Sequence, residues 1–212
     1  MSPLALVLGV GLAQAVDWQA PIKQGHPTRA LLLGGAGEGH WNAGASVGSP
    51  WVTAQAQVGL PGGWTPIAEV QGASLARWQP GLGVGKRWID RDWRLTGEGV
   101  VGWTLQGEPI PFRGPAAELR MKGGRAVGRF VPYLHLGVRG SRTVDHTEDT
   151  TGTVLRSSPR WETTFTGALG TGFVLGDRVG LDLGIDLPWV NVPAVSIPGV
   201  HLGVQAGWGR TR

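Results

Sequence analysis

At 212 residues the chain has the length of a single domain, and the absence of cysteine excludes disulfides, thiol catalysis and thiolate zinc sites. Charged residues make up only 16% of it, sparse for a water-soluble surface, and 37 glycines argue against a helical bundle, because each glycine inside a helix costs about 1 kcal/mol relative to alanine. The net charge of +4 comes from scattered basic residues with no run of five, so the footprint of a nucleic-acid binder is missing.

In chain order, residues 4 to 12 form a short apolar run ahead of Ala13-Gln14-Ala15, the small-x-small form of a signal-peptidase site. The run is too short to cross a bilayer as a helix, for which roughly 20 apolar residues are needed. The expected organisation is a signal peptide over 1–15, a periplasmic N-terminal segment over 16–29 and one β-domain over 30–212. A first strand is expected within 30–47, where Trp41, Ala43, Ala45 and Val47 alternate with Asn42, Gly44 and Ser46. Its start is open, because Leu31 to Leu33 continue the register through a Gly-rich stretch that reads equally well as a turn.

From there the apolar period is two. Val52, Ala54, Ala56, Val58 and Leu60 oppose Thr53, Gln55 and Gln57, and Pro66, Ala68 and Val70 oppose Glu69 and Gln71. The same alternation predicts strands over 80–88, 93–105, 115–122, 130–140, 161–175, 179–187 and 200–209. The count is ten, with eight or twelve also compatible. Links at 61–63, 89–92, 123–129 and 176–178 are short; those at 106–114, 141–160 and 188–199 are longer. Short turns on one side and long loops on the other are the pattern of transmembrane barrels.

Alternation alone does not say which face meets the apolar phase. Two features decide for lipid outside. Trp64, Trp88, Trp93, Trp103, Trp161 and Trp208 fall at or near strand ends, as an aromatic girdle requires. The polar face is also rich in small residues, which suits the interior of a narrow barrel. That face places Glu69, Gln71, Glu98, Glu118, Arg120, Lys122, Tyr133, His135, Arg139, Glu162, Asp182 and Asp186 in the lumen. The basic members Arg120, Lys122 and Arg139 are expected to neutralise neighbouring carboxylates, filling the interior, with a narrow pore as the other reading.

In this architecture the chain, over residues 30–209, resembles the small outer-membrane β-barrels of Gram-negative bacteria, the porin-like and OmpA-like class. The resemblance implies an all-β, transmembrane, up-and-down antiparallel barrel in the bacterial outer membrane. The implied partners are outer-membrane lipid and lipopolysaccharide, with the barrel-assembly machinery during biogenesis. Barrels of the class commonly end on an aromatic residue that this machinery reads; here Trp208 is followed by Gly209-Arg210-Thr211-Arg212.

The expected role is a structural or narrow pore-forming envelope protein, with no catalytic residue, metal or cofactor. Two other readings are weighed. Asp145, His146, Glu148 and Asp149 in the 141–160 loop could serve a barrel hydrolase, although their spacing fits no metal motif and the intervening threonines suit a solvated loop. A secreted soluble ligand-binding barrel is the third.

Overall fold

The computed structural model describes residues 22, 26–48, 51–73, 77–91, 93–106, 113–148, 151, 154–190 and 199–209. The proposed leader over 1–15 lies outside them. Ten antiparallel strands close on themselves: β1 (Trp41–Gly48), β2 (Trp51–Val58), β3 (Trp64–Ala73), β4 (Arg77–Asp90), β5 (Trp93–Gln106), β6 (Arg113–Arg125), β7 (Phe130–Glu148), β8 (Val154–Val174), β9 (Val179–Val190) and β10 (Gly199–Trp208). Each strand pairs with its sequence neighbours, and β1 closes the barrel on β10, Trp41 facing Trp208. Closure leaves no unpaired edge around the wall, the condition for a sheet in hydrocarbon.

The period-two reading fixes the faces because successive side chains in a strand point oppositely. On β5, Arg94, Thr96, Glu98 and Val100 are buried inward, while Trp93, Val101 and Trp103 are exposed outward. One irregularity, between Arg87 and Ile89 where β4 pairs with β5, falls at the strand's end and leaves Trp88 outward.

Three differences from the sequence expectation matter. First, β7 and β8 are 19 and 21 residues long, so most of the expected 141–160 loop is a hairpin ladder running from Ser141 paired with Glu162 to Glu148 paired with Val154, with one register shift between Thr147 and Glu148. A two-stranded ribbon needs only backbone partners, not burial, so polar composition did not reveal it. Second, only residues 49–50 separate β1 from β2, and 74–76 separate β3 from β4. Not every connection on the long-loop side is therefore long.

Third, residues on the boundary between the expected periplasmic segment and the expected first strand form a helix, α1 (Pro27–Leu33), inside the barrel. Proline at its first turn suits the helix start, and His26 caps it, its Nδ1 accepting from the Thr28 amide at 3.2 Å. Every residue of α1 is buried, and it packs on β1 and on β5 to β10. Ile22, Leu32, Leu33, Val131, Tyr133 and Ala168 make one apolar cluster around it.

Glycines on the wall make the sockets for this helix. A Cβ on Gly124 would lie 2.7 Å from Leu33 Cδ2, one on Gly44 3.0 Å from Leu31 Cδ1, and one on Gly172 would overlap Leu32 Cδ1. The glycine content that argued against a helical protein thus serves to admit one short helix.

Candidate functional site: a plugged, ion-paired lumen

The plug is tied to the short-turn end of the barrel by polar contacts as well as leucines. His26 Nε2 donates to the Gly176 carbonyl at 2.6 Å, since a carbonyl can only accept. Arg29 donates to the Arg91 carbonyl at 2.7 Å. Beyond the helix, Arg94 donates to the carbonyls of Gly34 and Gly35 at 3.3 and 3.1 Å, where positive φ angles of 74° and 73° turn the chain toward β1. From above, Lys122 reaches the Leu31 carbonyl at 3.3 Å and His135 Nε2 donates to that of Leu32. The last carbonyls of a helix lack intrahelical partners, so these two donors complete the helix end.

Above α1 the wall contributes three carboxylates and three cations to one network. Arg120 binds Glu69 and also Glu98, the latter at 2.8 Å, and Lys122 reaches Glu98 at 3.1 Å. Arg139 binds Glu118 at 2.7 Å and donates to the Gln71 side-chain oxygen. Gln71 in turn donates to Glu69 at 2.8 Å. Formal charge within this set cancels, and Glu98 is fully screened from solvent at its side chain. A buried charge without a partner costs several kcal/mol, which explains the one-to-one balance.

A second cluster sits on the β9 and β10 side. Tyr133 Oη and His201 Nε2 are 2.8 Å apart, His201 Nδ1 lies 3.1 Å from Asp186, its Nε2 lies 3.4 Å from Asp182, and Gln205 donates to Asp182. Gly184 makes room for it, since a Cβ there would lie 2.5 Å from the Tyr133 hydroxyl. Both clusters line a cavity of about 320 Å³ whose floor is Leu31 and Leu32 and whose walls reach Ser141 and Thr164.

Of the expected lumen residues, Glu69, Gln71, Glu98, Glu118, Arg120, Lys122, Tyr133, His135, Arg139, Asp182 and Asp186 face the interior in these clusters. Glu162 pairs through its backbone with Ser141, and its side chain lies outside the described residues. The alternation over 200–209 places Gln205 on the polar face, and the same parity extends to His201, since both alternate with Val200, Leu202 and Val204; both face the interior, as does Arg94, for which the sequence offers no such pointer. The 141–160 acids do not converge with either cluster through the described backbone: Asp145 pairs with Ser158 and His146 with Ser157, further along the hairpin, and Asp149 is outside the described residues.

The outer surface is apolar. Leu82, Val101 and Leu119 are 68%, 66% and 66% exposed in the middle of their strands, an arrangement a soluble surface of this size avoids. The six expected tryptophans all face outward, joined by Trp41 and Trp78. They fall in two rings. Trp41, Trp64, Trp88, Trp93 and Trp208 lie at the short-turn ends of their strands; Trp78, Trp103 and Trp161 lie toward the other end. Trp161 is well inside β8, facing Arg142, so the ring marks a level on the wall and the hairpin continues above it.

On β5, Trp93 and Trp103 are ten residues apart. At about 3.3 Å per residue and a tilt near 40°, that is roughly 25 Å of height, the height of a barrel's hydrocarbon band. A closed wall, polar within, apolar without and ringed twice by tryptophan at this spacing, is a transmembrane β-barrel.

No protein-family model and no curated protein matches the chain. Among solved structures it is similar to the N-terminal β-barrel domain of Pseudomonas aeruginosa OprF, at 11% identity and a TM-score of 0.42, over 81% of this chain and 99% of that one. It is also similar to the Yersinia pestis outer membrane protein Ail in a phospholipid bilayer nanodisc, at 13% identity and a TM-score of 0.40, over 81% and 100%. Neisserial surface protein A aligns at 12% identity and a TM-score of 0.39, over 80% and 97%.

Proposed function

We propose that the protein is an integral outer-membrane β-barrel whose lumen is closed by its own N-terminal helix, serving as a structural envelope protein and not as an open diffusion pore or an enzyme. The observation that carries this reading is α1 in the lumen, capped by an ion-pair network whose members bind one another. Titratable groups consumed in mutual pairing are positioned to hold the wall and plug together. The short-turn rim, where α1 enters, is the periplasmic side in this reading, and the β7–β8 hairpin projects from the outer face.

Gel mobility of the membrane fraction with and without boiling tests the reading. The barrel is expected to resist detergent unheated, migrate at a different apparent mass and shift on boiling, because closure makes unfolding of the wall cooperative. A protein recovered in the soluble fraction with no such shift would instead support a secreted binding barrel. Planar-bilayer recordings of the same sample should show no steady conductance.

A further inference from the structure

Cations gather beside the outward aromatics at the short-turn rim. At the short-turn rim Trp64, Trp88, Trp93, Phe130 and Trp208 each have a cation nearby. Lys86 Nζ lies 4.6 Å from the Trp64 ring centroid, and Arg125 faces Trp93 across β5 and β6. Arg91 stands in the turn between Trp88 and Trp93, and Arg129 immediately precedes Phe130, its guanidinium donating to the Val174 carbonyl at 3.3 Å. Arg178 accepts at its carbonyl from the amide of Gly207, next to Trp208. Arg91, Arg125 and Arg178 are exposed.

The carboxylates at this end do not balance them. Asp90 is already engaged by Arg87 at 3.1 Å, Arg94 at 2.7 Å and Arg29 at 3.6 Å. Among the described residues Glu38 and Asp177 are the other acids of this rim. At the opposite end the described strands carry Arg77, Arg113, Arg142, Arg156 and Arg160 together with Asp145, Glu148 and Glu162, so that end is mixed in sign.

We infer that the short-turn rim binds the phosphate headgroups of anionic phospholipids in the adjoining leaflet. The tryptophan ring fixes the depth of the headgroups, and the cations sit at that depth, facing outward where a lipid phosphate lies. An anionic leaflet attracts each Lys or Arg near its surface, an effect that vanishes within a Debye length. The rim thereby adds an orienting contact that the mixed-charge opposite end does not make. This inference rests on the transmembrane reading.

The test uses the full chain in vesicles of phosphatidylcholine with one third phosphatidylglycerol, probed with spin-labelled forms of each lipid. Boiling-dependent gel mobility first establishes insertion; failure to insert would sink the transmembrane reading and the rim site together. In inserted protein, the motionally restricted shell should prefer phosphatidylglycerol about fivefold at low salt. The preference should disappear in 1 M NaCl, where the Debye length is about 3 Å, and stay unchanged on adding inorganic phosphate at low concentration. Replacing Arg91, Arg125 and Arg178 with Gln together should abolish it, whereas the same replacement of Arg142, Arg156 and Arg160 should not. Equal shells for both lipids in the native protein, or equal loss in both triple variants, would overturn the inference. The salt titration decides the matter in the native chain even if a variant folds poorly.

Discussion

Arg120→Met is expected to cost about 3–5 kcal/mol of unfolding free energy, because it removes the cation shared by two buried carboxylates. Lys122 still reaches Glu98, but among the described residues Glu69 keeps only the Gln71 amide. The double variant Arg120→Met, Glu69→Gln should recover a large part of the loss, since coupling between contacting groups is non-additive. Urea unfolding in vesicles, followed by the heat-modifiable gel band, reads both. A loss below about 1 kcal/mol would mean that water screens the charges as it does at a surface, and the lumen would then be an open, hydrated pore.

Loosening the plug should open the barrel without unfolding it. Leu33 is wholly buried against the wall, and truncating such a leucine to alanine costs about 2–5 kcal/mol. The wall is held by its own closed ladder, so the loss falls on the docking of α1. It should multiply the open fraction by roughly 30 to 4,000. Gly172→Leu attacks the neighbouring socket from the wall side by filling the space that Leu32 occupies. Planar-bilayer recordings should show channel steps for both variants and none for the native protein. A native channel of the same size as the variants' would place the conduction path elsewhere than through the plug.

The wall was legible in the sequence because its information has a period of two. A strand buried against lipid on one face and against a polar lumen on the other cannot slip by one residue without inverting both, so Leu95, Val101 and Trp103 opposite Glu98 sufficed to orient β5. The pairing of Arg120, Lys122 and Arg139 with glutamates followed from the same parity and the cost of unpaired buried charge. What escaped has a physical reason in each case. Leu31-Leu32-Leu33 is an unbroken apolar run, and such a run has no period that separates helix from strand. Its true signals were local, Pro27 and the capping His26, together with lumen glycines far away in sequence at 44, 124 and 172 whose common role appears only when the barrel closes. The β7–β8 hairpin escaped because Asp145, Thr147 and Ser158 read as solvated loop, while their backbones pair regardless of what the side chains face.

The apolar face of this barrel meets hydrocarbon, and Leu119→Arg is the substitution that probes this. Leu119 is 66% exposed in the middle of β6, well between the two tryptophan rings. If lipid covers it, arginine at this depth should cost about 2–4 kcal/mol of unfolding free energy measured in vesicles. If water covers it, the same substitution at an exposed site should change stability by no more than about 0.5 kcal/mol, and that result would mean that the face is solvated and the barrel does not cross a bilayer.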